Sequence, residues 1–220
     1  MKPLPWSHSS LNDFVNCPRS YYRKRIAKDV KEEQSEAIIW GLRVHKAFED
    51  RIKDGTPLPQ GMEPYESYLA SLEAAPGEKI TERKIALSRA MNPCHFFGKD
   101  VWFRGVIDLS ILDGDYALLV DYKTGKPKNN FDQLKLFAIY TFLERPEVES
   151  IDVRYYWTQT FSSTTERYTR DQIGDMWKTF IPNLKQYAEA FKTDTWQPRP
   201  SGLCGWCPVK DCEFWRPRRR

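Results

Sequence analysis

The stretch from Arg104 to Lys126 constrains the fold of this chain more than any other. Residues 101–111 alternate with the period of two that is typical of a β-strand. Asp113-Gly114 predicts a tight hairpin turn, because glycine tolerates a positive φ angle. The segment from Tyr116 to Lys123 is apolar almost throughout, which favours a strand covered on both faces. The pattern therefore predicts two neighbouring strands within a buried sheet.

Charged residues interrupt both predicted strands. Asp108 lies inside the first strand, whereas Asp121 and Lys123 are two residues apart and project from one face of the second. Burying two nearby carboxylates is costly, and a divalent cation such as Mg²⁺ or Mn²⁺ between them removes that cost. A lysine beside such a metal stabilises negative charge or orients a water. The pattern indicates metal-assisted attack on a phosphodiester; the alternative is a structural hydrogen bond at Asp108 and an exposed Asp121–Lys123 ion pair.

These residues resemble motifs of the PD-(D/E)XK nuclease superfamily, in its RecB-like branch. Gly105-Val106-Ile107-Asp108 resembles the G-x-x-D element, with Ile107 where the family often has proline, and the segment 121–126 resembles the D-Y-K-T-G element. The segment 133–140 resembles the helix that follows, and Gly41-Leu42-Arg43-Val44-His45 resembles the upstream G-x-x-x-H helix. The elements keep the family's order over nearly the whole chain.

The resemblance implies an α/β fold with a PD-(D/E)XK restriction-endonuclease-like core, a central mixed sheet with helices on both faces. It implies one domain over residues 1–220, with a helical region at about 9–75 and a nuclease core at about 79–192. A cysteine segment at 196–215, joined to Cys17, would complete it. Within this frame the residue patterns predict helices at 9–27, 35–53, 64–75 and 171–192, and strands at 79–89, 151–161 and 164–169. Ser10 is the predicted N-cap of the first helix, and Pro182 is predicted to kink the last.

The resemblance also assigns the site residues. Asp108, Asp121 and His45 would hold Mg²⁺ or Mn²⁺, and the Tyr122 carbonyl and Glu82 are further candidate ligands. Lys123 would orient the attacking water or stabilise the phosphorane, and Gln133 would contact a phosphate or the metal's water shell. An exposed strand charge is the alternative for Glu82.

The helix predicted at residues 35–53 carries His45 on a stripe with Ile38, Leu42, Glu49 and Ile52. This spacing predicts that His45 faces inward together with the apolar residues. A lone inward histidine is more often a core residue than a ligand. The resemblance favours the ligand.

Cysteines form a C-x2-C-x4-C array at Cys204, Cys207 and Cys212. Three thiolates at this spacing suit Zn²⁺ or an iron–sulfur cluster, and no fourth ligand lies nearby. The resemblance supplies Cys17 as the fourth and implies a structural [4Fe-4S] cluster, with Zn²⁺ as the alternative. The fifth cysteine, Cys94, is predicted to be structural.

Composition describes a globular chain of 220 residues with a net charge of +4. No apolar run is long enough to span a membrane, and the N-terminus lacks the apolar core of a signal peptide, so a cytoplasmic location is expected. Basic residues cluster near both ends, which favours a polyanionic partner, although solvated termini are the alternative. The members of these clusters are Arg19, Arg23, Lys24, Arg25, Arg216, Arg218, Arg219 and Arg220.

The expected function is that of a metal-dependent DNA exonuclease acting on DNA ends or single strands, in recombination, repair or phage DNA processing. Candidate DNA contacts are Tyr21, Tyr22, Arg23, Trp102 and Tyr140; ordinary helix packing is the favoured alternative for Tyr140. A CRISPR-adaptation nuclease that trims DNA before integration is an alternative with the same chemistry. A non-catalytic DNA-binding protein and a zinc-binding structural protein are alternatives of other classes.

Overall fold

A computed structural model of the chain describes residues 3–32 and 34–217. Its contacts divide the chain into two compact units. The terminal unit comprises Met1–Gln34 and Phe180–Arg220, and the central unit comprises Ser35–Thr179. The single domain expected over the whole chain stays a prediction. Arg218, Arg219 and Arg220 of the basic C-terminal cluster lie outside the described residues.

Helices and strands follow the expected order. The α-helices are α1 (His8–Asn16), α2 (Pro18–Tyr21), α3 (Glu36–Asp54), α4 (Glu66–Ala74), α5 (Asp132–Glu144), α6 (Ile173–Lys178) and α7 (Ile181–Thr193). The strands are β1 (Glu78–Ser88), β2 (Val101–Asp113), β3 (Tyr116–Lys123), β4 (Ser150–Trp157) and β5 (Ser162–Thr169). Short 3-10 turns occur at Glu63–Tyr65, Arg170–Gln172 and Cys204–Trp206, and a π-helical segment at Tyr22–Ala27 follows α2. None of the helices in the described ranges is long and apolar enough to cross a membrane.

The central unit is built on one five-stranded mixed sheet in the order β1-β2-β3-β4-β5. All neighbouring strands are antiparallel except β3 and β4. A parallel pair needs a crossover connection, and α5 lies within the one between β3 and β4. The β2–β3 turn is a tight hairpin in which Gly114 has a φ of 60°. The hairpin that the Asp113-Gly114 pair predicted is therefore present.

Helices cover both faces of the sheet, as the contacts of two successive residues of β3 show. The Tyr122 ring packs edge-on against Phe48 of α3, with centroids 4.9 Å apart. The next residue, Lys123, donates a hydrogen bond from Nζ to Gln133 Oε1 of α5 at 2.8 Å. Successive strand residues point to opposite faces, so α3 and α5 lie on opposite sides of the sheet. The α/β architecture, a mixed sheet flanked by helices, is confirmed.

The core on the α3 side fixes the position of that helix. Val44, Phe48 and Ile52 of α3 pack with Leu109 and Val120 of the sheet, and all five side chains are buried. Fully burying a side chain of this size contributes about 1.5–3 kcal/mol to folding. The helix is therefore held against the sheet by its apolar face, and His45 is carried with it.

Two details of the terminal unit correct the sequence-based predictions. Ser7, rather than Ser10, is the N-cap of α1; Ser10 is the third helical residue and completes a reciprocal capping box. A serine suits either position, so composition alone does not fix the helix start. Pro182 does not kink a long helix. Instead the chain breaks between α6 and α7, and Pro182 lies in the first turn of α7, where its missing N–H costs nothing.

Aromatic side chains form the centre of the terminal unit. Phe14 of α1 makes edge-on contacts with Tyr21 and Tyr187, whose centroids lie 5.8 and 5.3 Å away. The Tyr21 ring stacks on Trp196, and its hydroxyl lies 2.6 Å from the Tyr187 hydroxyl. These contacts join the N-terminal helices of this unit to α7 and the segment after it.

Gly105 of β2 lies where a side chain has no room. A Cβ atom at this position would be 2.8 Å from the Phe137 ring of α5. We expect Gly105→Ala to lower the free energy of unfolding by about 1–3 kcal/mol, because overpacking displaces α5 from the sheet. Gly174→Ala is the matched control, since nothing lies within 4 Å of a Cβ there. Urea unfolding of both variants measures the difference; an unchanged Gly105→Ala midpoint would show that the ring yields freely.

Candidate active site

Strands β2 and β3 stop pairing where the charged residues begin. Their ladder ends at Leu109 and Val120. Beyond this point the Tyr122 N–H donates to Asp108 Oδ2 at 2.7 Å. Asp108 is only 8% exposed, so its carboxylate is held between the strands by a backbone donor. A hydrogen bond of the strand ladder is therefore replaced by one from a backbone N–H to a side-chain carboxylate, and this bond orients the acid.

Glu82 interrupts the pairing of β1 with β2. Thr81 pairs with Leu109 and Arg83 with Ile107, and Glu82 is left out of the register. Its φ of 46° is left-handed, a conformation that costs an ordinary residue about 1–3 kcal/mol and that collects at functional sites. The cost accompanies the placement of the Glu82 carboxylate beside Asp108.

His45, Glu82 and Asp108 form a candidate metal site. One ligand atom from each residue lies within 4.8 Å of the other two, and no other such group of three or more occurs among the described residues. His45 Nδ1 lies 3.3 Å from Asp108 Oδ2. Two carboxylates and one imidazole form a donor set that suits Mg²⁺ or Mn²⁺ better than a thiolate-preferring ion. The residues present therefore fit the divalent metal.

Asp121, Lys123 and Gln133 form a second group beside the first. Lys123 Nζ lies 2.5 Å from Asp121 Oδ2, and Gln133 Nε2 donates to Asp121 Oδ1 at 2.8 Å. Lys123 Nζ also donates to Gln133 Oε1 and lies 5.2 Å from the Tyr155 ring centroid. Asp121 is only 2% exposed. The amide of α5 thus fixes the relative positions of the acid and the lysine.

The two groups are linked by their charges. Burial, and then the Asp108 charge, raise the pKa of Asp121 to about 6. The same two causes raise the pKa of Glu82. Burial alone would lower the pKa of His45, but the hydrogen bond and charge of Asp108, with the charge of Asp121, outweigh it and raise the pKa. The site therefore carries an excess of negative charge that a bound cation would relieve.

Comparison with known proteins identifies the family. A family model for the PD-(D/E)XK nuclease superfamily matches residues 5–212. The chain belongs to the PD-(D/E)XK nuclease superfamily. A comparison with curated protein sequences found no match.

Solved structures share the fold of this superfamily member. SSO0001 is 17% identical, with a TM-score of 0.50 over 98% of this chain and 89% of that one. A protein from Eubacterium rectale, provisionally named as an exonuclease, is 14% identical, with a TM-score of 0.55 over 98% of this chain and 90% of that one. At such identities the likeness shows a shared fold alone.

The predicted catalytic residues of the nuclease all lie in these two groups. Glu82 lies with His45 and Asp108, whereas Asp121 lies with Lys123 and Gln133 instead. Asp121 as a metal ligand stays a prediction, and so does the Tyr122 carbonyl. No pattern in the sequence pointed to the Tyr155 ring beside Lys123, because aromatic residues on a buried strand are common.

The predicted DNA contacts have partners within the protein, in aromatic packing, hydrogen bonds or ion pairs. In the terminal unit Tyr21 is buried against Tyr187, and the Tyr22 ring lies 5.3 Å from Trp196. Arg23 forms ion pairs with Asp29 and Asp211. Their role in DNA binding stays a prediction, and the structure gives them intramolecular partners.

Tyr140 and Trp102, in the central unit, also have partners within the protein. Tyr140 is buried, and its hydroxyl donates to Glu144 at 2.7 Å, in keeping with the helix-packing alternative. Trp102 makes an edge-on contact with Trp177, whose centroid lies 5.8 Å away. A DNA contact by the buried Tyr140 would disrupt this packing, whereas a DNA contact by the half-buried Trp102 stays a prediction.

The four cysteines assigned by resemblance line one cavity of about 230 Å³ in the terminal unit. The backbone N–H of Arg199 donates to Cys17 Sγ at 3.4 Å, and that of Ser201 to Cys204 Sγ at 3.3 Å. Such donors stabilise thiolates. These sulfurs do not form a single-ion group within 4.8 Å among the described residues.

The conformation of Glu82 generates a prediction. Glycine adopts a positive φ freely, so Glu82→Gly removes both the backbone cost and one of the crowded carboxylates. In EDTA we expect the free energy of unfolding of the variant to equal that of the wild type or to exceed it by up to about 3 kcal/mol. It should lose the stabilisation that saturating Mn²⁺ gives the wild type. Thermal unfolding with EDTA or Mn²⁺ measures both effects.

Glu78→Gly is the matched control, because Glu78 begins the same strand and is exposed. It should be slightly less stable and keep its response to Mn²⁺. An intact Mn²⁺ response in Glu82→Gly would exclude Glu82 as a ligand.

Proposed function

We propose that this superfamily member is a divalent-metal-dependent deoxyribonuclease, an exonuclease that hydrolyses phosphodiester bonds at DNA ends or in single strands. The observation that carries the proposal is the His45–Glu82–Asp108 group directly beside the Asp121–Lys123–Gln133 group. The first offers ligands for a hard cation, and the second offers a lysine held by an acid and an amide. DNA as substrate and the exonuclease mode rest on the resemblance to the RecB-like branch.

His45, Glu82 and Asp108 would hold the metal, with Asp121 and the Tyr122 carbonyl as additional ligands. A bound Mg²⁺ or Mn²⁺ supplies Lewis-acid stabilisation of the charge that develops on the phosphate. The Tyr122 N–H orients the Asp108 carboxylate. Hydrolysis joins a water oxygen to phosphorus and breaks the bond from phosphorus to one sugar oxygen.

Lys123 would stabilise the pentavalent phosphorane or orient the attacking water. Its ammonium lies between the Asp121 carboxylate and the Gln133 carbonyl, so its position is fixed before substrate binds. Preorganised charge of this kind is the largest contribution to many enzymatic rates. Gln133 acts as a positioning residue, since its amide bonds both partners of the ion pair.

Lys123→Ala tests the nuclease directly. We expect it to lower the rate of DNA cleavage by a factor of about 100 or more, because a preorganised charge in the transition state is lost. The assay uses end-labelled single-stranded and duplex DNA with Mn²⁺ or EDTA, and the product ladder reports polarity. Lys178→Ala, which removes an exposed lysine of α6, is the control.

Metal-dependent cleavage by the wild type and Lys178→Ala, lost in Lys123→Ala, supports the enzyme. Two other results would overturn it. Cleavage that survives Lys123→Ala would point to a contaminating nuclease. A wild-type protein that binds DNA without cleaving it would favour the non-catalytic DNA-binding alternative.

We further propose that Cys17, Cys204, Cys207 and Cys212 hold a [4Fe-4S] cluster with a structural role. The four line one cavity, and backbone N–H groups point at two of the sulfurs. Four thiolates complete the coordination of such a cluster, so no open position remains for substrate chemistry. The ligation energy would instead stabilise the fold of the terminal unit.

Cys207→Ser is expected to lose most of the iron and to lower the unfolding temperature of anaerobically purified protein. Cys94→Ser is the matched control, because Cys94 lies in the central unit and its backbone N–H pairs with Ala86. Iron, sulfide and zinc analysis and visible absorbance measure the cofactor. If the protein contains stoichiometric zinc and no iron, the cluster proposal is overturned in favour of the Zn²⁺ alternative.

A further inference from the structure

The stripe of α3 that carries His45 is not buried along its length. Ile38 and Leu42 share this stripe, seven and three residues before His45, yet they are 50% and 60% exposed. The sequence predicts that both face the core, and that prediction is wrong. The helix buries Val44 and Phe48 instead, which lie on the adjacent face.

Helical geometry places these two side chains beside the candidate metal site. Ile38 and Leu42 lie within about 60° of His45 around the helix axis, at 100° per residue. Ile39 is also exposed, at 46%, but lies about 120° from His45. A single exposed apolar residue is ordinary, whereas two on the stripe that ends in a candidate ligand form a surface leading to the site.

The loop after β3 forms the other side of this entrance. A Cβ atom on Gly41 would lie 3.2 Å from Thr124 Oγ1, so the start of α3 closely approaches this loop. Lys126 and Lys128 follow on the loop; both are exposed, and neither forms an ion pair within the described part of the chain. The entrance thus has an apolar side on α3 and a cationic side on the loop.

We propose that Ile38 and Leu42 form an apolar wall that contacts the base of the nucleotide beside the scissile phosphate, while Lys126 and Lys128 contact the backbone. This inference rests on the proposed nuclease function. Apolar side chains of this kind pack against the faces of unstacked bases, and lysines neutralise phosphates. A base face is accessible only where the base is unpaired. The wall would therefore favour a single strand or a frayed end over closed duplex.

A nucleic acid fits this surface better than a second protein chain does. Ile38, Ile39, Trp40 and Leu42 are the exposed large apolar side chains of α3. Four partly exposed side chains are too few for a stable protein interface, which buries about 800 Å² on each partner. Their position on the ligand-bearing stripe makes them continuous with the site where a phosphate would lie. The nearby cations complement a polyanion.

The test compares intact oligonucleotides with ones in which a single nucleotide lacks its base. In the wild type, an abasic nucleotide next to the cleaved bond should slow Mn²⁺-dependent cleavage of single-stranded DNA. The double variant Ile38→Ser/Leu42→Ser should cleave intact single strands about tenfold more slowly, because two side chains that are already half buried in the free protein together lose the burial of about one. It should show no further loss on the abasic substrate.

Matched variants separate the wall from general damage. Ile39→Ser removes an exposed isoleucine from the same turn but off the stripe, and should behave as the wild type. Leu42→Met keeps an apolar side chain of similar size and should retain the sensitivity to the abasic nucleotide. Calorimetric Mn²⁺ binding and thermal unfolding should be unchanged in the serine variant, which excludes an effect on His45.

Each remaining outcome overturns a distinct claim. If the missing base does not slow the wild type, or if the double serine variant cleaves intact single strands as fast as the wild type, the wall is overturned but the nuclease proposal stands. If the wild type does not cleave, fluorescence anisotropy with the same two oligonucleotides decides. Equal binding of both oligonucleotides, or no binding of either, overturns the wall together with the enzyme.

Discussion

Repulsion among three carboxylates is the constraint on which the central unit depends. Glu82, Asp108 and Asp121 meet at one end of the sheet, and burial together with the Asp108 charge raises the pKa of both Glu82 and Asp121. Each negative charge therefore needs a fixed counterpart. A backbone N–H serves Asp108, Lys123 serves Asp121, and the charges of His45 and Lys46 act on Glu82. The sheet accommodates this by ending the β2–β3 ladder early and by giving Glu82 a left-handed backbone, so a local cost in stability accompanies the candidate cation site.

Alternation along β3 explains how two helices serve one site. Tyr122 points towards α3 and packs on Phe48, which places His45 one helical turn away over the end of the sheet. Lys123 points the other way, where Gln133 of α5 holds it. The site is thus assembled at the end of β3 from both faces of the sheet. Its geometry depends on core packing, because a helix shift on either side would separate ligands from lysine.

The sequence predicted those parts of the site that depend on period and spacing. Strand alternation placed Asp121 and Lys123 together, and helical period placed His45 on a stripe with Leu42. Neither period tells which other elements pack against a given face of a helix or strand, so the sequence does not predict the exposure of Leu42. The left-handed Glu82 also leaves no trace, because glutamate shows no preference for that conformation and only the completed sheet imposes it. Tyr21 shows the converse limit, since a tyrosine near a basic cluster suits a DNA contact and a buried core equally well.

In the terminal unit, basic residues near the N-terminus form ion pairs with acidic residues of the cysteine segment. Arg19 pairs with Glu213 and Arg23 with Asp211, so the N-terminal basic residues hold acids that flank Cys212. Exposed ion pairs contribute little energy individually, but these two join residues far apart in the sequence around one cavity. The basic cluster is thus occupied within the protein, and the case for a polyanion there weakens. Lys126 and Lys128 are exposed on the loop after β3 and form no ion pair within the described residues, so they stay available for the phosphate backbone of the proposed substrate.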